Sequence, residues 1–264
     1  MKSPLRYPGG KTRACAILDP LVEKTIGDRE ITTLVSPFLG GGSFEFYLYS
    51  KHGWNVVAND SFQPLITFWN QARSNQNELC IRLRQMLAIE NKQEYFHLCR
   101  TRNADDSSDA LRQASEFFFL NRTSFSGCTL SGGYSTQAAS NRFTESSIAR
   151  VGNLMLHDFR FTHEDFEPFL QKEAKSNCVV FLDPPYMLDK GSTLYGKNGS
   201  KHKNFDHERL HRVVSSLTVP WIMTYNDCEE VRNLYKDFHI ETAEWSYGMN
   251  KSKESSEIVI TSKT

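Results

Sequence analysis

The residues best suited to carry chemistry stand together in the run Asp183-Pro184-Pro185-Tyr186. The preceding residues, 179–182, are apolar and partly β-branched, which predicts a strand buried on both faces. Two prolines end helix formation and ladder pairing there. A carboxylate that accepts hydrogen bonds and a ring that stacks are thus fixed where open α/β sheets bind ligands. An ordinary turn with a surface tyrosine is the alternative, but a glycine-rich loop upstream favours the ligand site.

That glycine-rich loop, residues 37–43, follows another predicted strand at 33–36. Its glycines let a ligand approach the backbone without a Cβ in the way, and Ser43 is predicted to cap the helix at 44–52. The loop has neither the Gly-Lys-Ser/Thr of a P-loop nor dinucleotide GxGxxG spacing. The pattern therefore favours a nucleotide-like ligand.

Asp60 ends the next predicted strand, about twenty residues beyond the loop, where Rossmann-like folds bind ribose hydroxyls. Capping of the following helix is an alternative and compatible role. A third candidate is Lys11, which follows Tyr7-Pro8-Gly9-Gly10 and could bind a carboxylate or phosphate. A simple N-terminal turn would explain the same residues. Together the glycine-rich loop and Asp60 indicate an adenosine-containing cofactor.

The elements that must position these residues alternate between strand and helix on both sides of a helical block. Residues 154–159 are predicted to form a strand that ends in an acid. The last two strands, 239–246 and 257–261, are predicted to form an antiparallel pair. The fold class is α/β, a Rossmann-like, mostly parallel sheet with an antiparallel last strand. Residues 1–61 and 145–264 are expected to form this catalytic domain. Residues 62–144 are expected to form an inserted, mainly helical recognition domain with a hairpin near 131–143.

The composition of the chain limits the kinds of partner that it can bind. The 264 residues carry a formal net charge of zero, so nucleic-acid binding requires a local basic patch. The six scattered cysteines show no metal-ligand spacing, which predicts reduced thiols and no metal site. No signal peptide or membrane-spanning run is predicted, and an intracellular, cytoplasmic location is expected.

Basic residues are locally concentrated in two places. Arg122, Arg142 and Arg150 have few acids nearby, and the glycine- and lysine-rich stretch 190–203 is basic throughout. Each could be a solvated surface. Each could equally face DNA phosphates, the second by ordering on binding.

Taken in order, these motifs resemble one family, the Dam-like DNA adenine-N6 methyltransferases. The resemblance runs nearly end to end and rests on Tyr-Pro-Gly-Gly-Lys, Pro-Phe-x-Gly-x-Gly-Ser, Asn-Asp, Leu-Asn-Arg-x-x-Phe-x-Gly and Asp-Pro-Pro-Tyr. It implies transfer of a methyl group from S-adenosylmethionine to the N6 amino group of an adenine flipped out of double-stranded DNA. No metal is implied, and a restriction endonuclease is a possible genetic partner.

The resemblance also implies residue roles. Asp183 and the Pro184 carbonyl would accept hydrogen bonds from the adenine amino group, and Tyr186 would stack on the base. Asp158 would bind the cofactor's adenine amino group, with Phe159 beside the ring. The residues implied at the cofactor are Tyr7, Lys11, Phe38, Gly40, Gly42, Ser43, Asp60, Asp158, Phe159 and Asp183.

On the DNA side the chain departs from the family in places. Ser126 replaces an asparagine, Leu130 stands where GATC-reading members carry an arginine, and Ser36 stands where an acid usually precedes Pro-Phe. GATC specificity is therefore not implied. The residues expected at the DNA are Arg6, Asn121, Arg122, Phe125, Ser126, Cys128, Leu130, Arg142, Lys197, Lys201 and Lys203.

Three other functions remain open at this point. One is methylation of cytosine N4 or of an RNA base, against which Asp183 before Pro-Pro-Tyr speaks. Another is a DNA-binding relative that has lost catalysis, motivated by Ser36. A nicotinamide-dependent dehydrogenase would leave Asp-Pro-Pro-Tyr and the insertion unexplained.

Overall fold

The two middle strands of the sheet, β1 (Thr33–Ser36) and β4 (Cys178–Leu182), are almost completely buried, as their apolar sequences predict. The computed structural model describes residues 1–103, 109–187, 205–244 and 256–263. From β1 the chain proceeds to one side of the sheet, and from β4 to the other. The gap between the carboxyl ends of β1 and β4 is therefore the topological switch point at which such sheets bind ligands.

Within the described residues the sheet has seven strands in the order β3-β2-β1-β4-β5-β7-β6. Neighbours among β1 to β5 pair in parallel, whereas β7 runs antiparallel to both β5 and β6. The prediction of a mostly parallel Rossmann-like sheet with an antiparallel last strand is confirmed. The remaining strands are β2 (Asn55–Asn59), β3 (Phe159–Thr162), β5 (Trp221–Asn226), β6 (His239–Glu244) and β7 (Ser256–Thr261).

Helices cover the sheet and form the block between β2 and β3. In the described part of the chain, none of them is long and apolar enough to cross a membrane. The α-helices are α1 (Cys15–Ile26), α2 (Ser43–His52), α3 (Gln63–Ser74), α4 (Gln76–Leu87), α5 (Lys92–Arg102), α6 (Ala110–Thr123), α7 (Thr136–Arg142), α8 (Glu145–Gly152), α9 (Phe166–Glu173), α10 (His207–Ser215) and α11 (Glu229–Leu234).

Strand β3 lies later in the chain than the sequence suggested. Residues 154–158 form no strand, and β3 begins at Phe159. Phe159 and Phe161 are buried while Arg160 between them is exposed, which is the period-two pattern of a strand with one covered face. Asp158 therefore precedes β3 instead of ending it, and lies at the amino end of the sheet.

The helical block shares its core with the sheet. Trp69 of α3 packs on Phe46 of α2 and Phe161 of β3, with ring centroids 5.2 and 5.7 Å apart. On the other side of α3, Phe68 stacks on Phe118 of α6 at 5.5 Å. The boundary expected at residue 62 therefore does not coincide with a break in packing.

The predicted hairpin near 131–143 does not form. A single antiparallel bridge joins Ser124 to Tyr134, and the chain then enters α7. The Ser135 side chain accepts a hydrogen bond from the Ala138 amide, and Ala138 and Ala139 are buried. This N-cap and the small apolar side chains stabilise a short helix where a second hairpin strand was expected.

The end of α6 is fastened to the N-terminal segment. The Asn121 side chain accepts from the Arg6 amide at 2.9 Å and donates to the Arg6 carbonyl at 2.7 Å. Gly127 has φ +78°, and a Cβ there would lie 2.2 Å from the Arg6 carbonyl oxygen. This glycine is required both by its conformation and by the closeness of the two chain segments.

Candidate active site

Asp183, directly after β4, has both carboxylate oxygens engaged. The buried Lys11 ammonium lies 2.8 Å from Oδ1 and 2.9 Å from Oδ2, and the Thr224 hydroxyl of β5 donates to Oδ1 at 2.7 Å. Lys11 also donates to the Gly9 carbonyl at 2.9 Å. These contacts fix the orientation of the carboxylate and join the N-terminal loop to the end of β4.

Tyr186 forms a rigid platform beside that carboxylate. Its hydroxyl donates to Glu257 of β7 at 2.6 Å, and its ring stacks on Tyr225 at a centroid distance of 5.7 Å. The Lys11 ammonium lies 5.1 Å from the centre of the ring. Burial, with the charges of Asp183 and Glu257, raises the pKa of Tyr186 well above its ordinary value. The ring is therefore held in place and stays a neutral phenol.

The glycine-rich loop is tied to the end of β2. The Gly40 amide donates to Asp60 Oδ2, and the Phe62 amide donates to Asp60 Oδ1, both at 2.9 Å. Asp60 is therefore not the cap of α3 but the residue that fixes the loop, and it stays half exposed. Its carboxylate lies at the carboxyl end of the sheet, as predicted.

Tyr7 covers the same loop. A Cβ on Gly41 would lie 2.8 Å from the Tyr7 Cβ, so a larger residue cannot stand there without moving one segment. Gly42, with φ +66°, precedes α2 as its N-cap, which makes Ser43 the first helical residue and not the predicted cap. Tyr7, Lys11 and the glycine-rich loop thus surround one region at the switch point.

A buried acid that the sequence did not single out lies under this loop. Glu45, on the first turn of α2, accepts a hydrogen bond from the Ser36 hydroxyl at 2.7 Å. Ser36 and Glu45 are 0% and 2% exposed. Burial chiefly raises the pKa of Glu45 to about 7, and Asp183 adds to that shift, while Ser36 and Lys11 oppose it. Ser36 stands where an acid was expected at the end of β1, and Glu45 of α2 supplies a carboxylate next to that position.

Asp158 and Phe159 do not belong to this site. The Asp158 carbonyl pairs with the first half of β2, at Val56, whereas Asp60 pairs with Thr162 at the other end of β3. The Asp158 carboxylate accepts from the Tyr49 hydroxyl at 2.9 Å, and Phe159 is buried against Phe46 and Tyr49. Because the strand begins after Asp158, both residues lie at the opposite end of β3 from Asp60, and their cofactor role stays a prediction.

The carboxyl end of β3 instead carries Asp165 and Phe166. Phe166 packs against Phe38 of the glycine-rich loop at 5.6 Å and against Phe205 at 5.6 Å. Asp165 caps α9 through the Glu167 amide and pairs with Arg209. The sequence did hold a signal for these two residues: apolar and polar side chains alternate from Phe159 to Thr162, as in a strand with one buried face. A strand that ends near Thr162 places Asp165 and Phe166 just beyond its carboxyl end.

The residues expected at the DNA divide into two groups. Asn121 is completely buried and its amide donates to the Arg6 and Gly127 carbonyls, so the structure places this side chain away from the surface and its DNA contact stays a prediction. Phe125, by contrast, is 70% exposed beside Ser126, which has a left-handed φ of 57°. Cys128 and Leu130 are half buried, and Leu130 packs on the core.

Four arginines that form no ion pair with an acid among the described residues lie near one another. The Arg122 guanidinium donates to the backbone carbonyls of Arg142 and Pro4, at 2.9 and 3.3 Å. Burial, and then the neighbouring arginines, lower the pKa of Arg122 to about 10. In the described part of the chain, one buried nitrogen of Arg142 has no hydrogen-bond partner. We call this set the arginine cluster: Arg6, Arg122, Arg142 and Arg150. Lys197, Lys201 and Lys203 lie outside the described residues.

The sheet order, with the glycine-rich loop and Asp183 at its switch point, is that of a Rossmann-like α/β fold, which binds its ligand at this edge of the sheet. Residues 7–249 match the family model described as D12 class N6 adenine-specific DNA methyltransferase, and the chain belongs to this family. The family transfers a methyl group from S-adenosylmethionine to adenine N6 in DNA. The comparisons give no support to the cytosine, RNA, inactive or dehydrogenase alternatives.

Curated relatives have similar names. A Type II methyltransferase, M.MjaIII, of Methanocaldococcus jannaschii is 24% identical over 231 residues, covering 81% of this chain and 79% of that protein. A Type II methyltransferase, M.CviBI, of Paramecium bursaria Chlorella virus NC1A is 23% identical over 252 residues, covering 92% and 89%. A solved structure, a putative class I S-adenosylmethionine-dependent methyltransferase of Listeria monocytogenes, aligns with TM-score 0.41 and 13% identity over 94% of this chain and 58% of that one.

Proposed function

We propose that this enzyme methylates an adenine flipped out of double-stranded DNA, with Asp183, Pro184 and Tyr186 forming the catalytic pocket. The observation that carries the proposal is the convergence of Asp183, Lys11 and Tyr186 beside the glycine-rich loop. A carboxylate, a cation and a fixed ring meet there at the switch point. A base within a duplex cannot reach such a pocket, so it must leave the stack.

The pocket has to improve a poor nucleophile. The lone pair of adenine N6 is conjugated with the ring, and hydrogen bonds from its two N–H groups to Asp183 and the Pro184 carbonyl concentrate electron density on nitrogen. Thr224 and Lys11 hold the carboxylate in the required orientation. Flipping the base out of the duplex costs a few kcal/mol. Stacking of the flipped base on Tyr186 offsets part of that cost.

S-adenosylmethionine supplies the electrophilic methyl group when it is bound. The residues present fit it: the Asp60 carboxylate is held against the glycine-rich loop through the Gly40 amide, and Tyr7 packs on Gly40 and Gly41 of that loop. Asp60 can accept ribose hydroxyls beside its two backbone amides, because a carboxylate offers about four lone-pair positions. Phe38, with Phe166, supplies an aromatic wall for the adenine of the cofactor. Holding both reactants in line is the main contribution of the protein to rate.

On the DNA side, the arginine cluster offers cations to the phosphates, and Phe125 offers an exposed aromatic ring next to them. Ser126 and Cys128 follow Phe125 and would face the bases, whereas Leu130 packs on the core and would expose only part of its side chain to them. We propose that this surface, with the helical block 62–144, selects the recognised sequence. Because two relatives are named Type II methyltransferases, a restriction endonuclease is a plausible genetic partner, and the enzyme would act at intracellular DNA.

The proposal is tested by incubating the protein with S-adenosylmethionine and unmethylated genomic DNA, followed by modification-sensitive long-read sequencing. We expect N6-methyladenine at one short recurring site. Asp183→Asn, treated in parallel, controls for methylation by a contaminant. Methylation of cytosine, or equal methylation by Asp183→Asn, would contradict the proposed pocket.

A further inference from the structure

Glu45 is a buried charge that the methyl-transfer chemistry above does not use. It is 2% exposed, and the Ser36 hydroxyl holds its Oε1 at 2.7 Å. Among the described residues, no Lys, Arg or His forms an ion pair with it, unlike the buried Glu116, which pairs with Arg102 and Arg112. A buried carboxylate without a cation is costly and needs an explanation.

The charged groups around Glu45 come from three other elements. Lys11 belongs to the N-terminal loop, Asp183 follows β4, and the Cys15 thiol lies on α1. Lys11 and Asp183 form an ion pair at 2.8 Å and largely cancel each other. Burial, and then Glu45 itself, raise the pKa of Cys15 to about 11, so the thiol is neutral. Ionised Glu45 is therefore the uncompensated negative charge of this group.

The position of Glu45 links this charge to the cofactor loop. Ser36 is the last residue of β1 and stands immediately before the loop, while α2 begins immediately after it. The hydrogen bond between Ser36 and Glu45 thus closes the base of the loop. S-adenosylmethionine carries one net positive charge because of its sulfonium, whereas the demethylated product is a thioether with none.

We propose that Glu45 is a positioning residue that adds a buried negative charge beneath the cofactor site, beyond the half-exposed Asp60, and so makes the enzyme prefer the sulfonium cofactor to its uncharged product. This inference rests on the proposed location of the cofactor at the glycine-rich loop. Glu45 acts through Ser36 and through the electrostatic field at Lys11 and Asp183, without touching the reacting atoms. Because the thioether product lacks the positive charge, the site would bind it more weakly, release it, and take up a new S-adenosylmethionine.

The sign of the pH dependence follows from the burial of Glu45. Its pKa of about 7 in the free protein means that it is partly protonated at neutral pH. A cation entering the site favours the ionised form, so binding of S-adenosylmethionine releases protons and strengthens as the pH rises through 7. A cofactor-induced drop of one pKa unit gives a roughly fivefold tighter dissociation constant at pH 8 than at pH 6. The thioether product should show little of this dependence.

The test measures binding of S-adenosylmethionine and of the thioether product to the full chain by calorimetry. Titrations at pH 6, 7 and 8 in buffers of different ionisation enthalpy count the protons released. Wild-type protein should release protons with S-adenosylmethionine near pH 7 and hardly any with the product. Glu45→Gln keeps an acceptor for Ser36 but should abolish the release and reduce the preference between the two ligands.

Two further variants separate the explanations. Ser36→Ala removes the hydrogen bond that stabilises ionised Glu45, so the midpoint of the pH dependence should move upward. Glu241 is an acid on β6 that pairs with Lys24, far from the glycine-rich loop in the sequence. Glu241→Gln therefore controls for the loss of a negative charge elsewhere, and its proton release and ligand preference should match those of wild type. Equal proton release by wild type and Glu45→Gln would overturn the role of Glu45 while leaving the cofactor site intact. Failure of wild type to bind either ligand would overturn the cofactor site itself.

Discussion

The carboxyl end of the sheet and the segment from Asn121 to Arg142 differ in how their polar groups are used. At the sheet, Asp183, Lys11, Thr224 and Tyr186 bind one another, so each side chain is held by the others before any ligand arrives. In the segment, the exposed groups have few protein partners, and the buried Asn121 only holds the backbone together. A site for one fixed reaction is preorganised, whereas the surface proposed to read DNA keeps exposed groups such as Phe125 for its partner.

Replacing Asn121 by alanine should have the largest effect on stability. Its amide makes hydrogen bonds to Arg6 and Gly127, and their loss should lower the free energy of unfolding by roughly 2–3 kcal/mol. Denaturant unfolding measures this loss. The recognised DNA sequence should be unchanged in the folded fraction; a changed sequence with full stability would mean that Asn121 reads DNA after all.

Tyr186→Ala should weaken binding of the flipped base by about 1–3 kcal/mol, the usual contribution of one base–aromatic stack. DNA containing a fluorescent adenine analogue at the target position reports flipping directly. Tyr186→Phe is the matched control, because it keeps the ring and loses only the hydroxyl, which donates to Glu257. Equal flipping by Tyr186→Ala and wild type would remove Tyr186 from the pocket.

Phe125→Ala should reduce DNA affinity by about 1 kcal/mol, because one exposed aromatic contact is lost. The dissociation constant for S-adenosylmethionine should not change, since Phe125 lies in the segment proposed to face DNA and not at the glycine-rich loop. Binding of duplex DNA and of cofactor, measured separately, checks both halves of the expectation. An effect on the cofactor with none on DNA would contradict the division between the two regions.

Asp158→Asn should have the smallest effect. Asp158 lies at the amino end of the sheet, where it accepts from Tyr49, so cofactor affinity and turnover should match wild type. Asp60→Asn offers the contrast, because the same change at the carboxyl end weakens a ribose contact and the support of Gly40. A loss of cofactor affinity in Asp158→Asn would reinstate it as a cofactor ligand.

These residues also show what sequence can and cannot predict here. Asp183, Tyr186, Asp60 and the glycine-rich loop were identifiable because prolines, glycines and buried strand residues constrain the backbone wherever they occur. Asp158 was misplaced because the apolar residues before it were taken for the strand, although the alternation that marks a strand begins at Phe159. The spacing of the motifs predicted the order of the strands and helices correctly, but it did not predict the residues at which they begin and end.

Glu45 and Asn121 were harder, for a different reason. A glutamate on the first turn of a helix is usually solvated, and nothing in the residues next to Glu45 in the sequence indicates that it is buried against Ser36. Asn121 stands in the Leu-Asn-Arg stretch that carried part of the family resemblance, and sequence does not distinguish an amide that contacts DNA from one that holds Arg6. Both depend on contacts between segments far apart in the chain.

The most direct test of the catalytic pocket is single-turnover methyl transfer by Asp183→Asn on a duplex carrying the recognised site. The amide keeps the size of the carboxylate but loses its charge and one acceptor oxygen. Removing such a transition-state contact should slow transfer by about 10²–10³-fold. DNA binding, measured beside it, should stay within a few-fold of wild type. Transfer at the wild-type rate would contradict the assignment of Asp183 as the acceptor for the adenine amino group.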